Sequence, residues 1–302
     1  MAGVEDMGSA RNGRTVAEEV RFIVDSLKDK YGEGEAKAIA RFIFENMKGW
    51  SAVDLAIKAN EHITEFIEGK IDGIIERLMH DEPVQYIFGI ADFYGMKLKV
   101  TPETLIPRPE TAELVDIIVD ENRRKDLRVL DMGTGSGCIA IALARNLPFA
   151  DVCAVDISGG ALAVARENAA GAKASVRFVQ TDILAADAAW NAISSAGADG
   201  ALDIIVSNPP YIADSEKALM ERNVTAFEPS GALFVPDNDP LVFYRAILGF
   251  ADKHIADGGS VYFEINPRFA DDFEALCNRS GFGDVAVMRD SFGKLRFVRA
   301  RR

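Results

Sequence analysis

The chain has 302 residues, with 47 Asp and Glu against 34 Lys and Arg, for a formal net charge of −13. That length exceeds what a single hydrophobic core usually fills and predicts two domains. The acidic balance opposes a protein that tracks a nucleic-acid backbone, whose affinity comes from Lys and Arg neutralising phosphates, so protein and small-molecule partners are favoured.

Residues 1–13 are polar and Gly-containing, lack the apolar stretch of a signal peptide, and are expected to form a disordered tail. Residues 14–82 read as a small N-terminal helical domain. Thr15-Val16-Ala17-Glu18 has the form of a capping box, with Val20, Ile23, Val24 and Leu27 following at helical spacing. Ala36–Met47 carries Ala36, Ile39, Ala40 and Ile43 on one face. Gly49-Trp50 interrupts this run, and Ser51 with Asp54 marks a new start. A last stripe, Ile67, Ile71, Ile74, Ile75 and Leu78, ends before Pro83. Such stripes must pack on one another, which predicts a bundle.

Between 83 and 109 the pattern changes to short extended pieces: Gln85–Gly89, Phe93–Val100 and Ile106-Pro107-Arg108-Pro109. The Pro-Arg-Pro segment is not helical throughout, because each proline restricts the residue before it. This stretch reads as a β-hairpin and connector. From 110 to 302 strands and helices alternate: helix Glu110–Asp120, strand Arg128–Met132, helix Cys138–Asn146, strand Asp151–Asp156, helix Gly160–Ala170 and strand Val176–Gln180. Strand Asp203–Ser207, helix Pro240–His254 and strand Ser260–Ile265 follow, and Asp284–Met288 with Leu295–Ala300 reads as a closing antiparallel pair. The fold class is therefore α/β, with a mostly parallel sheet covered on both faces.

Apolar runs such as Ile139–Ala144 are too short to cross a bilayer. Cys138, Cys153 and Cys277 are widely separated and show no C-x-x-C spacing, which fits a reducing cytoplasm and argues against disulfides or zinc. His62, His80 and His254 have no companion ligands, so no metal is expected. Cys138 opens a helix, a place where a thiol can become more acidic, although packing against the sheet is the simpler reading.

Asp131-Met132-Gly133-Thr134-Gly135-Ser136-Gly137 lies where the first strand of the sheet turns into a helix. Glycines there let the backbone adopt positive φ and approach a ligand, and the helix start offers unpaired amides. The spacing differs from the dinucleotide G-x-G-x-x-G, and no Lys-Ser/Thr follows as in a phosphate loop. Asp156 ends the next strand, where a carboxylate can accept both hydroxyls of a ribose. Asp182 stands where an adenine amino group would need an acceptor, with Ile183 beside it. Either aspartate alone also reads as a helix cap. Together with the glycines, on successive strand ends, they point to a bound nucleoside.

Val206-Ser207-Asn208-Pro209-Pro210-Tyr211 is the most informative stretch. Two prolines stop the strand at its carboxyl end, in the ligand crevice of such sheets. The turn leaves the Asn208 carboxamide oxygen and the Pro209 carbonyl as acceptors, and Tyr211 supplies an aromatic face. This set suits a planar NH₂ group whose two protons are held while its lone pair is aimed at an electrophilic methyl. The plainer reading is a proline-rich turn with a surface tyrosine.

With these residues in place, the region from Glu110 onward resembles class I S-adenosylmethionine-dependent methyltransferases. Asn-Pro-Pro-Tyr is shared by those acting on adenine in DNA and on glutamine in proteins. Pro83-Val84-Gln85-Tyr86-Ile87-Phe88-Gly89, Phe93-Tyr94-Gly95 and Thr104-Leu105-Ile106-Pro107-Arg108-Pro109-Glu110-Thr111 are similar to the release factor glutamine methyltransferase family, the HemK/PrmC type. The resemblance implies a seven-stranded Rossmann-like methyltransferase sheet with S-adenosyl-L-methionine as methyl donor. It places the methionine part of the cofactor at Gly133, Thr134, Gly135, Ser136 and Gly137, with Asp156 on the ribose. It further implies that Asn208, Pro209, Pro210 and Tyr211 hold the glutamine of a Gly-Gly-Gln motif, with Asn208 also beside the cofactor. The partner is then a peptide-chain release factor, gripped in part by the helical domain. Two departures stand out: Ile183 replaces an aromatic found in some relatives, and Glu264-Ile265-Asn266-Pro267 lacks an expected glycine. Three other readings remain open: a DNA adenine methyltransferase, a glutamine methyltransferase acting on a ribosomal protein, and a non-catalytic cofactor-binding scaffold. Arg108 is expected to anchor the connector or bind the partner, and Glu228-Pro229 to order a loop over the site.

Overall fold

The computed structural model describes residues 13–198 and 200–302, so the expected N-terminal tail, apart from Gly13, lies outside the described residues. The chain divides after Phe88 into two units. In the first, helix α1 (Val16–Tyr31) starts on the capping box read from the sequence. The Glu18 N–H donates to Thr15 Oγ1 at 3.3 Å, and the Thr15 N–H donates to the Glu18 carboxylate at 2.8 Å. Helix α2 (Glu33–Lys48) ends at Gly49, whose left-handed φ of 70° closes the last turn. Helix α3 (Ala52–Ile57) has a second capping box made by Ser51 and Asp54, and helix α4 (Glu65–Met79) follows. Ile23, Leu27, Ile39, Ile43, Phe44, Ile71 and Leu78 fill the shared core, each contributing about 1.5–3 kcal/mol of burial. Val20, Val24, Ile67 and Ile74 pack around it, partly buried.

One local expectation is corrected. Gln85–Gly89 was expected to be extended, but helix α5 (Val84–Phe88) occupies it. Pro83 supplies a fixed φ before the first turn, and its carbonyl accepts from Tyr86 and Ile87 at 3.0 and 3.1 Å. Val84, Ile87 and Phe88 then reach the helical core. So short an apolar run has no period that separates helix from strand.

The second unit opens with the antiparallel hairpin of β1 (Ile90–Phe93) and β2 (Met96–Lys99). Its two-residue turn, Tyr94-Gly95, has positive φ at both positions, 50° and 70°, which matches the twist of the flanking strands. Helix α6 (Pro109–Glu121) begins with proline in its first turn, after an extended Arg108. Alternation then gives β3 (Arg128–Met132), α7 (Cys138–Asn146), β4 (Asp151–Asp156), α8 (Gly159–Ala172), β5 (Val176–Gln180), α9 (Ala186–Ser195) and β6 (Leu202–Ser207). The chain continues through β7 (Ile212–Ala213), α10 (Arg222–Phe227), β8 (Phe234–Val235), α11 (Val242–His254) and β9 (Ile255–Glu264). It ends with α12 (Ala270–Arg279), β10 (Asp284–Arg289) and β11 (Leu295–Arg301).

The seven-stranded sheet has the order β10-β11-β9-β6-β3-β4-β5. Its strands from β9 to β5 are parallel, and β11 runs antiparallel to both of its neighbours. Strand residues alternate between two cores, as a two-unit side-chain period requires. Leu130, Met132 and Ile205 pack with α9, α11 and α12 on one face, while Val129, Ile204 and Val206 pack with α6, α7 and the hairpin on the other. Helices α9 and α12 and the short parallel pair β7–β8 were not anticipated from the sequence. No helix among the described residues is long and apolar enough to cross a membrane.

Candidate active site

Strands β6, β3, β4 and β5 are neighbours and parallel, so their carboxyl ends lie along one edge of the sheet. That edge carries Gly133 to Gly137, Asp156, Asp182 and Asn208 to Tyr211. At its centre the chain leaves β3 through the glycine-rich turn. The Gly133 and Thr134 N–H groups both donate to the Val155 carbonyl at 2.9 Å, which binds the turn to the adjacent strand. Gly133, Gly135 and Gly137 have φ of 80°, 55° and 81°, a region that costs other residues about 1–2 kcal/mol each. Thr134 is buried and donates through Oγ1 to Asp131 Oδ2 at 2.6 Å. Burial raises the Asp131 carboxyl to about 7. Its Oδ1 is buried and has no hydrogen-bond partner among the described residues, an arrangement that fits a polar ligand group arriving at this turn.

Asn168 on α8 escaped the sequence reading. Its buried side chain accepts from the Lys99 N–H at 2.6 Å and donates to the Lys99 and Ser136 carbonyls, both at 2.9 Å. One amide thus ties the glycine-rich turn to the hairpin. Nothing in a helix-internal asparagine announces such a role, since its partners lie far away in the chain.

Asp156 ends β4 with its carboxylate turned along the edge. Oδ2 accepts from the Gly135 N–H at 2.8 Å and Oδ1 from the Ser158 N–H at 2.9 Å. Each oxygen keeps a lone pair for a further donor. Partial burial holds its carboxyl above the usual range. Asp182 accepts from the Leu184 N–H through Oδ1 at 2.8 Å, a local turn ahead of α9, whose N-cap position is Ala185, so Asp182 is not a helix cap and its other carboxylate oxygen receives no hydrogen bond from a described residue. Ile183 is only 8% exposed and belongs to the core, whereas its neighbours along the edge, Ile157 at 66% and Leu184 at 46%, present apolar surface. The Gln180 amide bonded to the Ile157 carbonyl at 3.0 Å links these strand ends. The sequence signal for this surface is an isoleucine directly after the strand-ending aspartate.

Asn208, Pro209, Pro210 and Tyr211 follow β6, next to the glycine-rich turn: the Ser207 hydroxyl donates to the Met132 carbonyl at 2.5 Å. Behind Asn208 lies Glu264, the last residue of β9 and only 1% exposed. Asn208 Nδ2 donates to Glu264 Oε2 at 3.0 Å and to Thr111 Oγ1 at 3.2 Å. The Thr111 hydroxyl donates to Glu264 Oε2 at 2.7 Å, and the Tyr211 hydroxyl to Oε1 at 3.0 Å. Desolvation raises the Glu264 carboxyl, opposed by these hydroxyl donors and by Arg296. Burial and Glu264 push the Tyr211 phenol far above its ordinary value, so it stays a neutral donor. Neither Asn208 Oδ1 nor the Pro209 carbonyl receives a hydrogen bond from any described residue. Both acceptors are therefore unpaired among the described residues, in the turn that ends at Tyr211.

The surrounding loops are braced by long-range contacts. Glu228 is buried and accepts from the Ile106 N–H at 3.0 Å and from Arg108 at 2.5 Å, so Arg108 is an anchor of the connector. Asn266, standing where a glycine was expected, donates to the Tyr211 carbonyl at 3.2 Å and to Glu216 at 3.0 Å. Its amide thereby ties the end of the tyrosine turn to Glu216, five residues further on. The Cys138 thiol is pushed up to about 12 by burial. Placement at a helix start does not make it acidic, because the loss of solvent outweighs the helix amides.

Residues 111–251 match the family model described as the methyltransferase small domain. With the sheet order and the strand-edge site, this defines a methyltransferase of the Rossmann-like class. Residues 20–89 match the PrmC N-terminal domain. A release factor glutamine methyltransferase of Bacteroides thetaiotaomicron is 45% identical over 93% of this chain and 98% of its own length. Proteins of the same description from Flavobacterium psychrophilum and Streptococcus pneumoniae are 37% and 39% identical, over 91% and 88% of this chain and 95% and 92% of theirs. The chain belongs to the release factor glutamine methyltransferase family and is an enzyme. A T. thermophilus 16S rRNA N2 G1207 methyltransferase in complex with AdoMet and guanosine shares the fold, with a TM-score of 0.50, 18% identity, and coverage of 70% of this chain and 49% of that one.

Proposed function

We propose that this enzyme transfers a methyl group from S-adenosyl-L-methionine to the side-chain N5 of the glutamine in the Gly-Gly-Gln motif of peptide-chain release factors, in the cytoplasm. The observation that carries the reading is the pair of unpaired acceptors, Asn208 Oδ1 and the Pro209 carbonyl, in the turn that leads from the end of β6 to Tyr211. Each accepts one of the two N–H protons of the glutamine amide, while the ring covers its plane. The amide nitrogen is weakly nucleophilic because its lone pair is shared with the carbonyl. Holding both protons fixes the direction in which that lone pair points.

The cofactor, when bound, supplies an electrophilic methyl on a sulfonium. Gly133, Thr134, Gly135, Ser136 and Gly137 hold its methionine part, with the unpaired Asp131 Oδ1 available to a polar group there. Asp156 accepts from the ribose hydroxyls, Asp182 from the adenine amino group, and the exposed Ile157 and Leu184 give the ring apolar surface. The sulfonium would supply a methyl whose S–C bond breaks as the N–C bond forms, and the nitrogen would then pass one proton to solvent. No strong base is required, since proximity and alignment supply up to about 7–11 kcal/mol. The helical unit carries recognition of the protein substrate, in keeping with its match to the PrmC N-terminal domain.

The test is mass spectrometry of a purified release factor incubated with enzyme and S-adenosyl-L-methionine. A single added methyl on the Gly-Gly-Gln glutamine is expected. Methylation of adenine in plasmid DNA with an unmodified release factor would overturn the reading.

A further inference from the structure

The Asn208 carboxamide fits its pocket in two orientations that differ by exchange of Oδ1 and Nδ2, and only one presents an acceptor to a substrate amide. We infer that Glu264 and Thr111 are positioning residues that set this orientation, so that the site accepts a planar NH₂ group and refuses a carboxylate of the same shape. The inference rests on the proposed reaction and adds the origin of its substrate selectivity.

Four hydrogen bonds carry the argument. The Thr111 hydroxyl has one proton, and it goes to Glu264 Oε2 at 2.7 Å. The Tyr211 hydroxyl has one proton, and it goes to Oε1 at 3.0 Å. Both carboxylate oxygens therefore act as acceptors, and what Thr111 Oγ1 has left is a lone pair. Asn208 Nδ2 meets these two acceptors at 3.0 and 3.2 Å. The exchanged orientation would set Oδ1 against two oxygens at those distances. Losing a charge-assisted bond and gaining a repulsion disfavours that state by roughly a hundredfold or more. Glu264 and Thr111 are both buried, so no solvent relieves the clash.

A release factor with glutamate in place of the target glutamine would bring its own oxygens against Asn208 Oδ1 and the Pro209 carbonyl. Sites built around a hydrogen-bonding group reject an analogue lacking it by roughly 10⁴–10⁵-fold. In Glu264→Gln the buried partner is itself an amide that can turn either way, so Asn208 is free to present Nδ2 outward.

The experiment compares wild type, Glu264→Gln, Thr111→Val and Thr111→Ser. Measurements are kcat and KM on release factor, cofactor Kd, inhibition by the glutamate-bearing release factor, and hydrogen exchange of the Asn208 side-chain amide by NMR. Glu264→Gln is expected to lower kcat by roughly 100-fold, hold cofactor Kd within about twofold, and tighten inhibition by the glutamate form at least about tenfold. Thr111→Val follows in the same direction with a smaller loss, and Thr111→Ser restores wild-type behaviour because the hydroxyl is kept. Unchanged kcat and inhibition in Glu264→Gln overturn the inference, as do parallel losses of cofactor affinity and stability without any change in inhibition. If wild type fails to methylate release factor, the proposed reaction is at fault, and amide exchange still decides. Protection of the Asn208 protons in wild type and its loss in Glu264→Gln sustain the positioning role, and equal exchange overturns it.

Discussion

The two halves of the site are assembled in different ways. The glycine-rich half is made chiefly by segments that follow one another, the Asn168 tie to Lys99 apart: Thr134 bonds Asp131 three positions away, and Gly135 bonds Asp156 across 21 residues on the adjacent strand. The amide half draws Asn208 to Thr111 across 97 residues, Asn208 to Glu264 across 56, and Thr111 to Glu264 across 153. The first half works chiefly through backbone N–H groups and φ angles, which glycine makes accessible. The second works through side-chain polarity, which distant residues must enforce. Removing a backbone-shaping residue should therefore disturb cofactor affinity or stability, whereas removing a polar side chain of the amide half should disturb turnover.

Asn208→Ala breaks that comparison most severely if it holds. Its kcat is expected to fall by roughly 10³-fold, the scale seen when one preorganised polar partner is removed from a reacting group. Cofactor Kd, followed by calorimetry, should stay within about twofold. A comparable loss of cofactor affinity would show that the two halves are not separable. Asp156→Ala is the mirror experiment: loss of charge-assisted bonds worth about 1.5–3 kcal/mol raises cofactor Kd by roughly 10–100-fold, with kcat at saturating cofactor changed a few-fold at most. Unaltered affinity would remove the ribose role from Asp156.

The smallest effect sharpens the backbone argument within one turn. At Gly137 a Cβ would lie 3.0 Å from Ile141 Cδ1 and 3.1 Å from Ala165 Cβ, while at Gly135 it would meet nothing within 4 Å. Both glycines have positive φ. Gly137→Ala is therefore expected to cost about 2–3 kcal/mol and Gly135→Ala about 1–2 kcal/mol, by denaturant unfolding. Equal losses would mean that φ alone, and not the close approach of α7 to α8, makes glycine necessary at 137.

The helical stripes around Ile23, Ile43 and Ile71 are legible because one-sided burial imposes a period of 3.6, and the strands ending at Met132, Asp156 and Ser207 because burial on both faces makes them short continuous apolar runs. Gln85–Gly89 reads as extended because five residues are too few to show a period, and Pro83 and the helical core decide the helical state of Val84–Phe88. Helix α9, rich in alanine, carried no clear stripe in the reading yet buries Ala189 and Ile193 beneath the sheet. Asn208 was legible as an acceptor from the turn that follows β6. Glu264 was noticed only for the missing glycine two positions later, and Asn168 was not noticed at all.

Local sequence determined most of the elements of this protein and the strand ends where the glycine-rich turn and the Asn208–Tyr211 turn gather. Periodicity and glycine or proline stereochemistry act over a few residues, and so they can be read from a few residues. The facing of the Asn208 amide, the anchoring of Arg108 on Glu228 and the tie of Asn168 to the glycine-rich turn were decided by tertiary structure. A buried polar group is settled by whichever partner folding brings within about 3 Å, and chain separation carries no trace of that meeting.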